Sequence, residues 1–324
     1  MIRSPDRQVT GVGLTFAANS RTFETDESFS GNLLFANIGA KNPWSVAISG
    51  HHSSGSRLLF SSAVGGIESV TADVNDEGSV RGAVNGAWAV VNAVSLYTEH
   101  GQHTYRAVHV RAARRVAMLA REAGSKILIH ISGIGADAGS LSRYIRSLRQ
   151  GEAAVLDAFS STKVIRPAVM FGPGDAFLTP LLAMLRQMPA FPLFGGGQTK
   201  LQPAYVEDVA EAIVRVLQTP TAHQVYELAG PQIYNYRELL RNVGASAGAR
   251  PVLVPVPFRL WHMLGYAAEI LPNPPITRSQ VELMEQDNLP APYAPGFAAL
   301  QISPKAIEDI LAQIMQAQRD KAGA

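Results

Sequence analysis

The stretch 126-KILIHISGIG-135, followed by 142-SRYIRSLRQGEAAVLDAF-159 and 162-TKVIRPAVMFG-172, decides the fold. The first piece reads as a buried strand and the third as another strand. The middle piece reads as a helix. Strand, helix and strand in this order predict two parallel neighbours joined by a crossover helix.

The same rhythm extends outward. AWAVVNAV (87–94) is a continuous apolar run, and residues 104–123 read as a helix with Val108, Val116, Leu119 and Ala120 at helical spacing. Gly124 stands where a helix-ending glycine belongs. Upstream, IESVTADV reads as a strand ending at Asp73, and 76–85 as a short helix capped by Asp76. The alternation predicts an α/β fold, a Rossmann-type doubly wound parallel sheet with helices on both faces and ligands at the carboxyl ends of its strands.

After Phe171 glycines and prolines multiply around a helix LLAMLRQM (181–188). Helices follow at 205–218 and 236–248, VYELAGP (225–231) reads as a strand, and PVLVPVP (251–257) as extended chain. The expected division is a dinucleotide-binding core over 1–171, with 201–230 returning to it, and a smaller C-terminal lobe from 172–200 and 231–324. The apolar helix Phe258 to Leu271 is too short to span a bilayer. It reads either as lobe core or as a docking helix, Arg259, Trp261 and His262 suiting a membrane or partner boundary.

With 47% hydrophobic residues the chain can bury a large core, and its net charge of +2 gives no argument for nucleic acid. The absence of cysteine removes disulfides, thiolate nucleophiles and the usual structural zinc sites. His100, His103 and His109 have no carboxylate-rich context and read as surface or loop residues, so no metal is expected. Gly195-Gly196-Gly197 is not followed directly by a helix and reads as a turn. Arg106, Arg111, Arg114 and Arg115 read as a solvated helix face. Asp208, near a helix start, reads as a capping residue. No signal-type stretch opens the chain, and a cytoplasmic location, peripheral on the inner membrane face, is expected.

Several patterns occur in a telling order: Asp73-Val74 after a strand, Asn92-Ala93-Val94 at a strand end, Ser132 closing the next strand and Tyr144 twelve residues later. Arg166-Pro167 then precedes FGPGD (171–175), YVEDVA occupies 205–210 and YELAGP 226–231. Together they resemble the extended and atypical short-chain dehydrogenases, which are NAD-dependent epimerase/dehydratase-like proteins. FPLFGGGQTKLQPAYVEDVAEAI (191–213), the short interval in HISGIGADAGSLSRY (130–144) and PNPPITRSQVELMEQDN (272–288) narrow the likeness. They resemble the Rossmann accessory subunit of respiratory complex I, the NADH dehydrogenase (ubiquinone) alpha-subcomplex subunit 9 type.

The resemblance implies bound NADP or NAD serving structure or sensing, and association with complex I or the membrane surface. It implies cofactor contacts from Gly11, Gly13, Asp73, Val74, Asn92, Ala93, Val94, Tyr144, Arg166 and Pro167. Active members pair a tyrosine acid/base with a lysine four residues on, which shares its helix face and lowers its pKa. Here Tyr144 is followed at that spacing by Leu148, which can do neither that nor hold a ribose. Little or no hydride transfer is therefore expected, and Tyr144 reads equally as a vestigial acid/base or as an amphipathic residue at a helix–sheet boundary. Ser132 reads as a catalytic hydroxyl or as a strand-end serine bonded to backbone. The alternative function is an active NAD(P)-dependent epimerase, dehydratase or reductase of a small or sugar-like substrate.

The phosphate loop is reduced to Gly11 and Gly13, with Phe16 where the family carries a third glycine, so dinucleotide binding is expected to be weakened. Residues from about 11 to 64 look unrelated to the family, while PDRQVTG before them and VGGIESVTADV after them look normal. Two compensating frameshifts would produce that pattern, and so would a divergent N-terminus. Translating the other two frames decides: if neither yields a glycine-rich loop and an arginine-bearing second strand end, the frameshift reading is wrong.

Overall fold

The computed structural model describes residues 72–322 apart from 98, 100, 174, 220–221 and 269–275, with backbone alone at 318 and 320–322. Before residue 72 it describes only the backbone of five short strands. Gly11, Gly13, His100 and Leu271 lie outside the described residues.

Four parallel strands form the centre: β1 (Ala89–Ala93), β2 (Ile127–Ile131), β3 (Thr162–Pro167) and β4 (Val225–Leu228). Their order across the sheet is β4-β3-β2-β1. Asn32–Ala36 lies antiparallel beside β1, at the edge of the four parallel strands that the alternation predicts. An antiparallel neighbour needs no crossover helix to reach its place.

The described helices are α1 (Glu77–Val84), α2 (Ala113–Glu122), α3 (Arg143–Ala158), α4 (Leu178–Gln187), α5 (Val206–Gln218), α6 (Tyr236–Ser246), α7 (Phe258–Ala268), α8 (Arg278–Met284) and α9 (Ile307–Ala322). Side chains along each strand alternate between two faces. Val90 and Leu128 join the core under α1, α2 and α3, while Val91, Ile129 and Ile165 join the core under α5. Both faces are covered, which is why the strand centres are apolar, and the polar residues they carry, Asn92, His130 and Glu227, are buried. Phe297, Leu300 and Ile302 pack on the α5 side, so the tail also returns to the core beyond the expected 201–230. A further core gathers Leu182 and Leu185 of α4, Leu239 of α6 and Ile310 and Ile314 of α9 together with Phe171, Leu201 and Tyr205.

Several local expectations change. The segment before α2 is π-helical over Arg106–Ala112, with the Ala113 amide donating to the carbonyl of Val108, five residues back. The strand expected to end at Asp73 stops at Val70. The strand expected over 162–172 breaks after Pro167, and Met170–Phe171 pairs instead with Ala204–Tyr205. Asp208 does not cap α5: its carboxylate accepts the Lys305 amide at 2.7 Å and ties α5 to the tail. Asp76 does cap α1, accepting the Ser79 amide, and Gly124 takes φ +81° after α2. Gly195 and Gly197 form a turn at positive φ.

Candidate functional site

The carboxyl ends of β1, β2 and β3 bring Asn92, Ala93, Val94, Ser132, Arg166 and Pro167 to one edge of the sheet. Asn92 is buried; its Oδ1 accepts the Val94 amide at 3.2 Å and shapes the strand end. Its Nδ2, which can only donate, faces His130 Nδ1 at 3.3 Å, so the His130 proton sits on Nε2. Asp73 is exposed in an Asx turn, accepting the Asn75 amide at 2.8 Å. Val74 is buried, and its carbonyl accepts Arg115 Nη1 at 2.7 Å.

Tyr144 is 8% exposed. Its ring stacks on Tyr97 at 5.9 Å and meets Tyr105 and His109 edge-on at 5.6 and 5.5 Å. The Ser95 side chain faces the Tyr144 hydroxyl and opposes the effect of burial only slightly. Burial, far more than any neighbour, pushes the Tyr144 phenol well above its ordinary value. A chain of hydrogen bonds runs behind it. Ser95 Oγ lies 3.3 Å from His109 Nε2, which also accepts the Leu96 amide at 2.9 Å. That acceptance leaves the imidazole proton on Nδ1, which donates to Ser147 Oγ at 2.7 Å. Ser147 in turn donates to the Tyr144 carbonyl at 2.6 Å.

One turn along α3, Leu148 is buried, with Cδ1 3.3 Å from where a Gly133 Cβ would stand. The lysine position is therefore packed against the turn after β2. Ser132 donates its amide to the Ile165 carbonyl at 2.8 Å, but its hydroxyl oxygen is buried with no partner among the described residues. The backbone-bonded hydroxyl that sequence suggested is absent there. An orphan hydroxyl at this edge, with half-buried Ala93 on the neighbouring strand, fits a nicotinamide or substrate group.

His109 corrects an expectation: it is 3% exposed, not a surface residue. The signal was its spacing, four residues after Tyr105 and seven before Val116, on the apolar face. His130, Ser95, Ser147 and Glu152 also escaped sequence reading. Glu152, 1% exposed, holds Arg166 at 2.8 and 2.6 Å; Arg166 Nη1 reaches Glu227 at 2.9 Å. Hydrogen bonding to Glu152 raises the Arg166 pKa above its ordinary value. The guanidinium is thus engaged by two carboxylates. Among the described residues no group of side chains could hold a metal.

The two histidines predict acid sensitivity. Burial lowers His109 to about 3 and His130 to about 4. Unfolded, both take a proton near pH 6.5. Below that pH the unfolded chain binds more protons than the folded one, so stability falls as pH drops, until the folded histidines titrate. Between pH 7.5 and 5 the expected loss is about 4 kcal/mol for the pair. Urea midpoints at the two values measure it, and His109→Gln with His130→Gln should flatten the difference. An unchanged slope in that double variant would show the dependence comes from other groups.

Comparison with known proteins places the chain. Residues 29–235 match the NAD dependent epimerase/dehydratase family. The match begins after Gly11 and Gly13, and inside the stretch 11–64 that reads as unrelated. Over 271 residues the chain is 29% identical to the mitochondrial NADH dehydrogenase [ubiquinone] 1 alpha subcomplex subunit 9 of Arabidopsis thaliana, covering 80% of this chain and 67% of that one. It is 29% identical to the Mus musculus subunit of the same name, covering 73% of this chain and only 63% of the mouse protein. Among solved structures it is similar to DesIV, a dTDP-glucose 4,6-dehydratase from Streptomyces venezuelae, at TM-score 0.59 and 18% identity, over 81% of this chain and 82% of that one. That likeness supports the Rossmann architecture alone. With well over half its length matched by the family pattern, the chain belongs to the NAD dependent epimerase/dehydratase family.

Proposed function

We propose that the protein is an NAD(P)-binding accessory protein associated with a complex I-type assembly, with little or no turnover. The observation that carries the second half is Leu148, buried where the active family needs a cation beside Tyr144. Without that cation, burial leaves the phenol protonated far above neutral pH, and it has little tendency to give up its proton reversibly. Cofactor contacts are assigned to Gly11, Gly13, Asp73, Val74, Asn92, Ala93, Val94, Tyr144 and the Arg166-Pro167 strand end. When bound, the dinucleotide supplies hydride chemistry; these residues bind and orient it. The complex I partner rests on the relatives' names and their shared length, and the peripheral location follows from that partner.

The retention of Ser132 after β2 and of Tyr144 on α3 favours a second reading, an active NAD(P)-dependent reductase or epimerase. Fluorescence titration with NADH and NADPH, followed by a turnover assay, separates the two. Saturable binding without turnover, unchanged within about twofold by Tyr144→Phe, is expected, since the ring can keep its stacking without the hydroxyl. Turnover that disappears in Tyr144→Phe would establish the second reading. Pull-down from solubilised membranes tests the partner: recovery without complex I subunits would refute it.

A further inference from the structure

Helix α7 carries its apolar stripe on the wrong side for a core helix. Leu260, Met263, Leu264 and Ala267 recur at helical spacing, and all four are exposed, Met263 by 68% and Leu264 by 46%. The helix is held in that orientation from below. Trp261 Nε1 donates to the Leu193 carbonyl at 2.9 Å, and its ring lies 4.6 Å from Phe194. Gly265 is buried, with the backbone of Thr277 and Arg278 within 3.5 Å of where its Cβ would stand. The strand Val252–Val256, which leads into α7, adds Val252 and Val254 to the exposed apolar surface, 67% and 43% exposed.

The charges around this ridge have one sign on its own segment. From Gly248 to Ala268 there is no aspartate or glutamate, while Arg250 and Arg259 are exposed. His262 is matched by Glu285 of α8 at 3.1 Å, and Arg278 of α8 lies over the Tyr266 ring at 6.0 Å. Among the described residues no helix is long and apolar enough to cross a membrane. An apolar ridge with a basic rim, too short to span, has the chemistry of a helix lying in a lipid headgroup layer, with aliphatic side chains below and guanidiniums at the phosphates. We infer that α7, with Val252 and Val254, is a docking surface for an anionic lipid bilayer.

This deepens the peripheral location proposed above but depends on no feature of the nucleotide site, and it is tested on lipid alone, so its failure would leave the accessory reading standing. The full-length protein is floated with vesicles of phosphatidylcholine alone and of phosphatidylcholine mixed with phosphatidylglycerol. Partition into the anionic vesicles is expected, falling with added salt. Met263→Glu with Leu264→Glu should lower it about tenfold or more, and Arg250→Gln with Arg259→Gln by roughly fivefold per arginine. All four residues are exposed, so unchanged thermal midpoints should certify folding. Three results overturn the inference: no partition into either vesicle, partition indifferent to both double variants, or a dimer in solution that the Met263/Leu264 variant dissociates, which would show that a second copy covers the ridge.

Discussion

Gly151→Ala is expected to destabilise the protein by about 3 kcal/mol or more, a large share of the margin of any single domain. Alanine is ordinarily the better helix former, by about 1 kcal/mol, so a helical glycine begins at a disadvantage. Here the position cannot take the extra carbon: an added Cβ would sit 2.2 Å from the His109 carbonyl oxygen, a backbone atom with no rotamer to escape into. Relieving the clash means moving α3 away from the π-helical stretch by about 1 Å, and packed interiors transmit such shifts rather than absorb them. The first casualty is the His109–Ser147 hydrogen bond at 2.7 Å, followed by the rest of the chain of hydrogen bonds behind Tyr144. Denaturant unfolding measures the loss. A stabilised Gly151→Ala would mean the two helices do not approach this closely.

That contact also marks the limit of sequence reading. The parallel sheet was legible because doubly covered strands must be largely apolar, and 89–91, 127–129 and 164–165 supply the apolar centres of three of them. Helix ends were legible where chemistry is local, as at Asp76 and Gly124. The candidate site was legible as positions, Ser132, Tyr144 and Leu148, but not as a network. His109 lies 35 residues before Tyr144, and its partners Ser95 and Ser147 are ordinary serines in sequence. Only the π-helical offset and the glycine at 151 bring them together, and neither leaves a strong periodic signal. Asp208 failed differently: a carboxylate in a first helical turn suits capping, yet a distant amide, that of Lys305, took it. Local rules rank local partners and say nothing of a chain segment nearly a hundred residues away.

Arg166 leads to the other large effect. Glu152→Ala is expected to cost about 3–5 kcal/mol, because it removes the bidentate partner of a guanidinium whose side chain is only 17% exposed. The remaining carboxylate, Glu227, cannot compensate: its Oε1 already pairs with Arg166, while its Oε2 accepts the Ala291 amide at 2.7 Å. The pairs themselves are not net stabilisers of that size, since desolvating three charges offsets most of their attraction; the cost arises from stranding one of them. The distinction is measurable. Glu152→Leu, Arg166→Met and Glu227→Gln together should recover much of the loss, whereas Arg166→Met alone should strand Glu227 and leave Glu152 with only Arg149 at 3.4 Å. If the triple variant instead equals the sum of the singles, the coupling is absent. Glu152 sits on α3 one turn beyond Leu148, and Glu227 anchors the segment around Ala291 and Pro295 to β4. Breaking the triad should therefore also weaken dinucleotide affinity, through loss of a fixed α3 rather than of a direct contact, and the conservative Glu152→Asp should restore part of it.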